Sequence, residues 1–117
     1  MNGVPQDLNL DDIIGFGLAQ ICLGPYSVNF VFESARQISA QGIVEVVENG
    51  NVIARWEEHE GWSSTKYHAL LRATVSGYSV PNPRLLEIAF KGGLALRVHD
   101  SSSHLESFSI QPGNIFV

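Results

Sequence analysis

Alternation of apolar and polar residues, cut at intervals by glycine and asparagine, most limits what this chain can fold into. In Tyr26-Ser27-Val28-Asn29-Phe30-Val31-Phe32, the residues Tyr26, Val28, Phe30 and Phe32 fall on one face of an extended strand. Leu86-Glu87-Ile88-Ala89-Phe90 and Leu94-Ala95-Leu96-Arg97-Val98 repeat the scheme. Between them, Gly92-Gly93 predicts a two-residue turn at positive φ, a region only glycine enters cheaply. Asn49-Gly50 marks a second hairpin, a type I′ turn joining 43–48 to 51–56. Gly24-Pro25 and Pro81-Asn82-Pro83 separate two further strand pairs, 16–23 with 26–33 and 73–80 with 84–91, and a last strand covers 105–110. Helix is confined to a turn at 10–14 and a short segment at 63–71, where serines precede an apolar stripe of Tyr67, Leu70 and Leu71. The pattern predicts a mainly β, β-rich α+β domain of six to eight strands. Val28, Phe30, Phe32, Leu86, Ile88, Phe90, Leu94 and Leu96 are its expected core.

A weak internal repeat runs beneath this alternation. Displacing the chain by 58 positions superposes Val28 on Leu86, Phe30 on Ile88, Phe32 on Phe90 and Ile38 on Leu96. Upstream, a displacement of 57 superposes Ile14 on Leu71 and Leu18 on Val75, the change falling in the Gly-Pro and Pro-Asn-Pro turns. The expectation is one domain over 1–117, built from two similar hairpin-containing halves at about 10–60 and 66–117. Two units that each bury one sheet face would pack as a small sandwich or a partly closed barrel.

Charge and cysteine content narrow the function classes. Hydrophobic residues make up 44% of the chain and charged residues 16%, enough apolar material for a core. No apolar run reaches the ~18–20 residues of a membrane-spanning helix. The first ten residues lack the basic and apolar regions of a secretory signal, so the expected location is cytoplasmic, away from any membrane. A lone Cys22 leaves no disulfide framework and no thiolate zinc site, and its setting between Ile21 and Leu23 predicts a small buried hydrophobe. Residues 1–60 hold nine acids against two cations, a net of −7, whereas residues 61–117 carry a net of +2. The five cations of the second half stand at least six positions apart, unlike the clustered cations of a nucleic-acid surface. Nucleic acid is therefore not expected as a ligand, while the acidic first half favours a basic protein partner.

Candidate chemistry concentrates in His99-Asp100-Ser101-Ser102-Ser103-His104-Leu105-Glu106. Across a hairpin loop, His99 and His104 with Asp100 or Glu106 would offer ligands for zinc or manganese. The segment lacks a recurring ligand spacing, and a solvated serine-rich turn explains it as well, so no metal and no other cofactor is expected. A serine, a histidine and Asp100 could be arranged as a triad, but no nucleophile elbow or oxyanion-hole glycine run accompanies them. Phosphate-loop and dinucleotide-binding glycine patterns are absent from the sequence. Catalysis is not expected, and no catalytic residue is assigned.

The segment that does read as a binding surface is Trp56-Glu57-Glu58-His59-Glu60-Gly61-Trp62. Three carboxylates so close together must stay exposed, because burying each unpaired would cost several kcal/mol. Tryptophans bracket them, and an aromatic anchor beside acidic groups suits a basic partner. Trp56, Glu57, Glu58, Glu60 and Trp62 are thus the candidate partner-binding residues. The other reading is structural: in alternation with Val52 and Ala54, Trp56 faces the core, and Trp62 packs under the short helix.

One further pattern bears on function. The run Phe90-Lys91-Gly92-Gly93-Leu94-Ala95-Leu96-Arg97-Val98-His99-Asp100-Ser101, closing with Glu106-Ser107-Phe108-Ser109-Ile110, resembles small bacterial β-rich domains of unknown function, some of them suspected immunity proteins encoded beside toxin genes. The resemblance implies a non-catalytic module that occludes a partner and carries no active site to transfer. Two alternatives stand beside it. One is a structural homo-oligomer, a homodimer for example, paired through an edge strand or the apolar tail Ile115-Phe116-Val117. The other is a small metal-dependent hydrolase centred on His99 to Glu106.

Overall fold

The computed structural model describes residues 3–101, 108–112 and 115–117. The chain is mainly β, as the alternation predicts. The described residues form eleven strands: β1 (Leu18–Leu23), β2 (Val28–Phe32), β3 (Gln37–Ala40), β4 (Val44–Glu48), β5 (Asn51–Glu57), β6 (Gly61–Trp62), β7 (Val75–Asn82), β8 (Leu85–Phe90), β9 (Leu94–His99), β10 (Phe108–Gln111) and β11 (Ile115–Phe116). The count exceeds the expected six to eight because β3, β6 and β11 are too short to show an alternation of their own. Among the described residues, helix is limited to 3-10 segments at Asp11–Ile13 and Thr65–Arg72, the latter capped by the Ser64 side chain, which accepts from the Lys66 N–H.

Two antiparallel sheets form, ordered β1-β2-β3-β10-β11 and β6-β5-β4-β9-β8-β7, and they do not close into a barrel. Their inner faces share one core in which Val28, Phe30, Phe32, Leu86, Ile88, Phe90 and Leu96 are buried, with Leu94 partly buried against it. The turns take the predicted chemistry. Asn49 and Gly50 lie at φ 49 and 86 between paired Glu48 and Asn51, as a type I′ turn requires. Gly92 and Gly93 lie at φ 87 and 86, although the loop between β8 and β9 also takes in Lys91.

Neither sheet is made from one stretch of chain. β1, β2 and β3 form a meander, after which residues 41–43 lead across to the other sheet, where β4 pairs with β9. β10 makes the reciprocal move and pairs with β3. Registers correspond across the two meanders: Leu18↔Phe32, Ile21↔Phe30 and Phe30↔Ile38 in one, Val75↔Phe90, Tyr78↔Ile88 and Ile88↔Leu96 in the other. Each first strand carries an irregularity at the same place, between Leu18 and Gln20 and between Val75 and Gly77. Where the meanders begin they touch, through an antiparallel bridge between Gly17 and Thr74.

Three sequence expectations are corrected by this packing. Cys22 is exposed, because β1 is an edge strand and its bulge breaks the alternation that would have turned the thiol inward. Tyr26 lies before β2 and is 61% exposed. Leu71 is exposed while Leu70 is buried, since the three-residue repeat of a 3-10 helix allows a narrower apolar face than an α-helix.

Candidate functional site

The acidic segment sits where β5 turns into β6. Val44↔Trp56 and Trp56↔Trp62 are register partners, so pairing on both sides fixes the end of the hairpin. Trp56 is 3% exposed and belongs to the core, which removes it as an anchor for a partner. Trp62 is half-buried and stacks on Tyr67, ring centroids 4.4 Å apart and planes 11° from parallel. Its indole is therefore occupied within the fold. Both tryptophans serve packing, since alternation points Trp56 inward and strand pairing carries Trp62 alongside.

The carboxylates behave as charge repulsion requires. Glu58 and Glu60 are exposed and Glu57 half-buried. Arg55 pairs with Glu57 at 3.1 Å, and His59 Nε2 stands 3.2 Å from Glu58 Oε1. Glu60 has no ion pair among the described residues. His59 holds the left-handed conformation at φ 75, which lifts its ring off the turn and against Tyr26 in an edge contact at 6.1 Å. The exposed aromatic beside the acids is thus Tyr26, supplied by the β1–β2 turn and not singled out by the sequence pattern. Glu57 also separates two depressions. One, of about 260 Å³, is lined by Gly42, Glu58 and Ser101; the other, of about 120 Å³, by Arg55, Glu60 and Ser63.

Of the serine-rich segment, His99, Asp100 and Ser101 are described. His99 Nε2 lies 2.7 Å from Glu45 Oε1 on the outer face of the second sheet, a cross-strand pair. The Asp100 side chain is fully buried and pairs with Arg84 at 3.6 Å, so it is no part of a solvated turn. Ser101 Oγ accepts the Ile43 N–H at 3.1 Å, tying β9 to the segment that leads into β4. His99, Asp100 and Ser101 therefore spend their polar groups on three separate structural contacts. Ser102, Ser103, His104, Leu105 and Glu106 lie outside the described residues. Among the described residues, no cluster of three or more His, Cys, Asp or Glu side chains is placed to hold a metal ion.

Elsewhere, polar contacts hold the first 3-10 turn to both sheets. Tyr78 Oη donates to Asp11 Oδ1 at 2.7 Å, and burial together with that carboxylate raises the phenol above its ordinary value. Arg36 pairs with Asp12 and donates to the Pro112 carbonyl at 2.6 Å. No helix among the described residues is long and apolar enough to cross a membrane. No family, no curated protein and no solved structure matches the chain.

Proposed function

We propose that the protein is a non-catalytic binding module that takes a basic segment of a partner protein at the β5–β6 turn, in the manner of an immunity protein that occludes its target. The observation that carries this reading is the exposed pair Glu58 and Glu60 flanking Glu57, which lines two depressions, with exposed Tyr26 against His59 of the same turn. A lysine or arginine entering the larger depression, which Arg55 does not line, would meet Glu57 and Glu58. The acids would also draw such a partner in over a Debye length of ~8–10 Å. The test compares wild type with Glu57→Lys/Glu58→Lys/Glu60→Lys against the product of the adjacent gene. Binding should fall more than ~10-fold at low salt, with the loss mainly in association rate. Equal binding of both forms would remove the turn from the interface.

Self-association has one observation in its favour. The edge strand β1, Leu-Ala-Gln-Ile-Cys-Leu, carries no charge or proline to deter pairing, and its Leu23 is 57% exposed. Within the apolar tail, β11 pairs with β10 and forms the other edge of the same sheet, while Val117 is buried. Sedimentation of the purified protein decides between a monomer and a β1-paired dimer.

We also infer that residues 10–60 and 66–117 are two copies of one structural unit. Supporting this are the matched registers at displacements of 57 and 58, the coincident strand irregularities, and the reciprocal exchange of β4 and β10.

A further inference from the structure

At the far end of the β4–β5 hairpin, roughly 20 Å from the acidic turn by strand length, the surface charge reverses. Four of the seven lysines and arginines are paired with carboxylates: Arg36, Arg55, Arg84 and Arg97. Among the described residues, Lys66, Arg72 and Lys91 have no such partner. Arg72 and Lys91 line one open cleft of about 530 Å³, together with His68 and Glu48.

Backbone contacts bring these walls together. The Lys91 N–H donates to the Thr74 carbonyl at 2.8 Å, fastening Lys91 beside the end of the 65–72 helix. The Asn49 N–H donates to the Gly93 carbonyl at 2.9 Å, holding the two hairpin turns in contact and with them Glu48. Gly93 lies at φ 86, and a Cβ there would overlap Asn49 Oδ1 and displace that side chain. The helix type matters as well. With three residues per turn, Lys66, Ala69 and Arg72 stand in one row, whereas an α-helix would splay each step by about 60°. Ala69 and Ala73 leave the space beside Arg72 open.

We propose that this cleft binds a small organic phosphate that also carries a hydroxyl group, such as a sugar phosphate. The guanidinium of Arg72 and the ammonium of Lys91 supply charge-assisted donors for phosphate oxygens, and His68 adds a ring donor in either tautomer. Glu48 repels any phosphate, and an ester whose separate hydroxyl donates to that carboxylate while its phosphate stays on Arg72 and Lys91 offsets the repulsion, which favours a hydroxylated ester over inorganic phosphate. The same carboxylate and the acidic first half oppose a nucleic-acid polyanion. This site is independent of the basic-partner reading, because the two surfaces lie at opposite ends of the hairpin.

The experiment is titration calorimetry of the full chain at low ionic strength with ribose 5-phosphate, inorganic phosphate, and vesicles containing phosphatidic acid. Ribose 5-phosphate is expected to bind, with Arg72→Ala and Lys91→Ala each weakening it at least ~10-fold. Glu48→Gln should weaken ribose 5-phosphate while inorganic phosphate holds or tightens. All three side chains are exposed, and an unchanged denaturation midpoint for each variant confirms that the fold is intact. No heat with ribose 5-phosphate, or binding that survives the Arg72→Ala/Lys91→Ala double variant, overturns the proposal. Binding to the vesicles without binding to the soluble ester also overturns it, in favour of a lipid headgroup.

Discussion

Across the outer face of the second sheet, Ser79, Glu87, Arg97, Glu45 and Arg55 follow one another as register partners on five neighbouring strands. The corresponding row on the first sheet begins Cys22, Asn29, Ser39 and Ser109. One row alternates in charge, with Arg97 and Glu87 joined at 2.7 Å; the other holds no charge at all. Yet the strands beneath them pair in corresponding registers. The outer row is therefore not what sets the register. The inner faces do that, because a slip of one residue would turn Phe30 or Ile88 to water along with every neighbour on its strand. The comparison teaches that this frame fixes its buried positions and leaves its surface free to specialise.

The strongest way to break the comparison is in the core. Phe32 and Phe90 occupy corresponding positions, 1% and 3% exposed. Phe32→Ala and Phe90→Ala should each cost roughly 3–5 kcal/mol in chemical denaturation. A loss below about 1 kcal/mol at either position would show that the two meanders do not share the core equally.

A smaller effect is expected at the meander turns, where the halves differ in chemistry at one backbone conformation. Gly93 lies at φ 86, and at the corresponding place Ala35 lies at φ 74. An alanine there bears a Cβ clash of about 1–2 kcal/mol, partly offset by the greater freedom of an unfolded glycine. Ala35→Gly should therefore raise stability by about 0.5–1 kcal/mol. Gly93→Ala should lower it by about 1–2 kcal/mol, and Asn49 must shift to admit the new methyl. Equal responses at the two sites, read from denaturation midpoints, would contradict the assigned turn geometry.

The smallest expected change concerns the charge row. Arg97→Ala removes the cation between Glu87 and Glu45 and should cost about 0.5–1 kcal/mol at low salt, the pair being only part-buried. Added sodium chloride should close the gap between variant and wild type. Ser39→Ala, its counterpart on the first sheet, should show no salt-dependent difference.

Much of this was legible in the alternation. The hairpins at Asn49-Gly50 and around Gly92-Gly93, and seven of the eight expected core residues as fully buried, follow from a period of two and the φ demands of a turn. The departures have local causes. Cys22 escapes burial through a bulge, Leu71 through a 3-10 repeat, and Asp100 is drawn inward against Arg84. The sites were harder to read. Trp56 and Trp62 looked like anchors because aromatic residues beside acids carry no label saying which face they take. Arg72 and Lys91 looked scattered because their meeting depends on strand pairing between distant segments. The exchange of β4 and β10 between sheets is invisible to any window along the chain, since each strand would fit beside either meander by its own pattern.

That exchange has a consequence for how the chain emerges during synthesis. β3 is complete at Ala40, but its second neighbour, β10, ends only at Gln111. At ~5–20 residues per second, several seconds pass between the two. During that interval the nascent first meander lacks its sheet partner β10, and Phe30, Phe32 and Ile38 stay uncovered until the opposing layer, which ends with β9 at His99, is made. The arrival of β10, rather than completion of the first meander, is then the step that lets the first sheet finish. A holding chaperone would find its binding site in those three side chains and lose it when the opposing sheet closes over them.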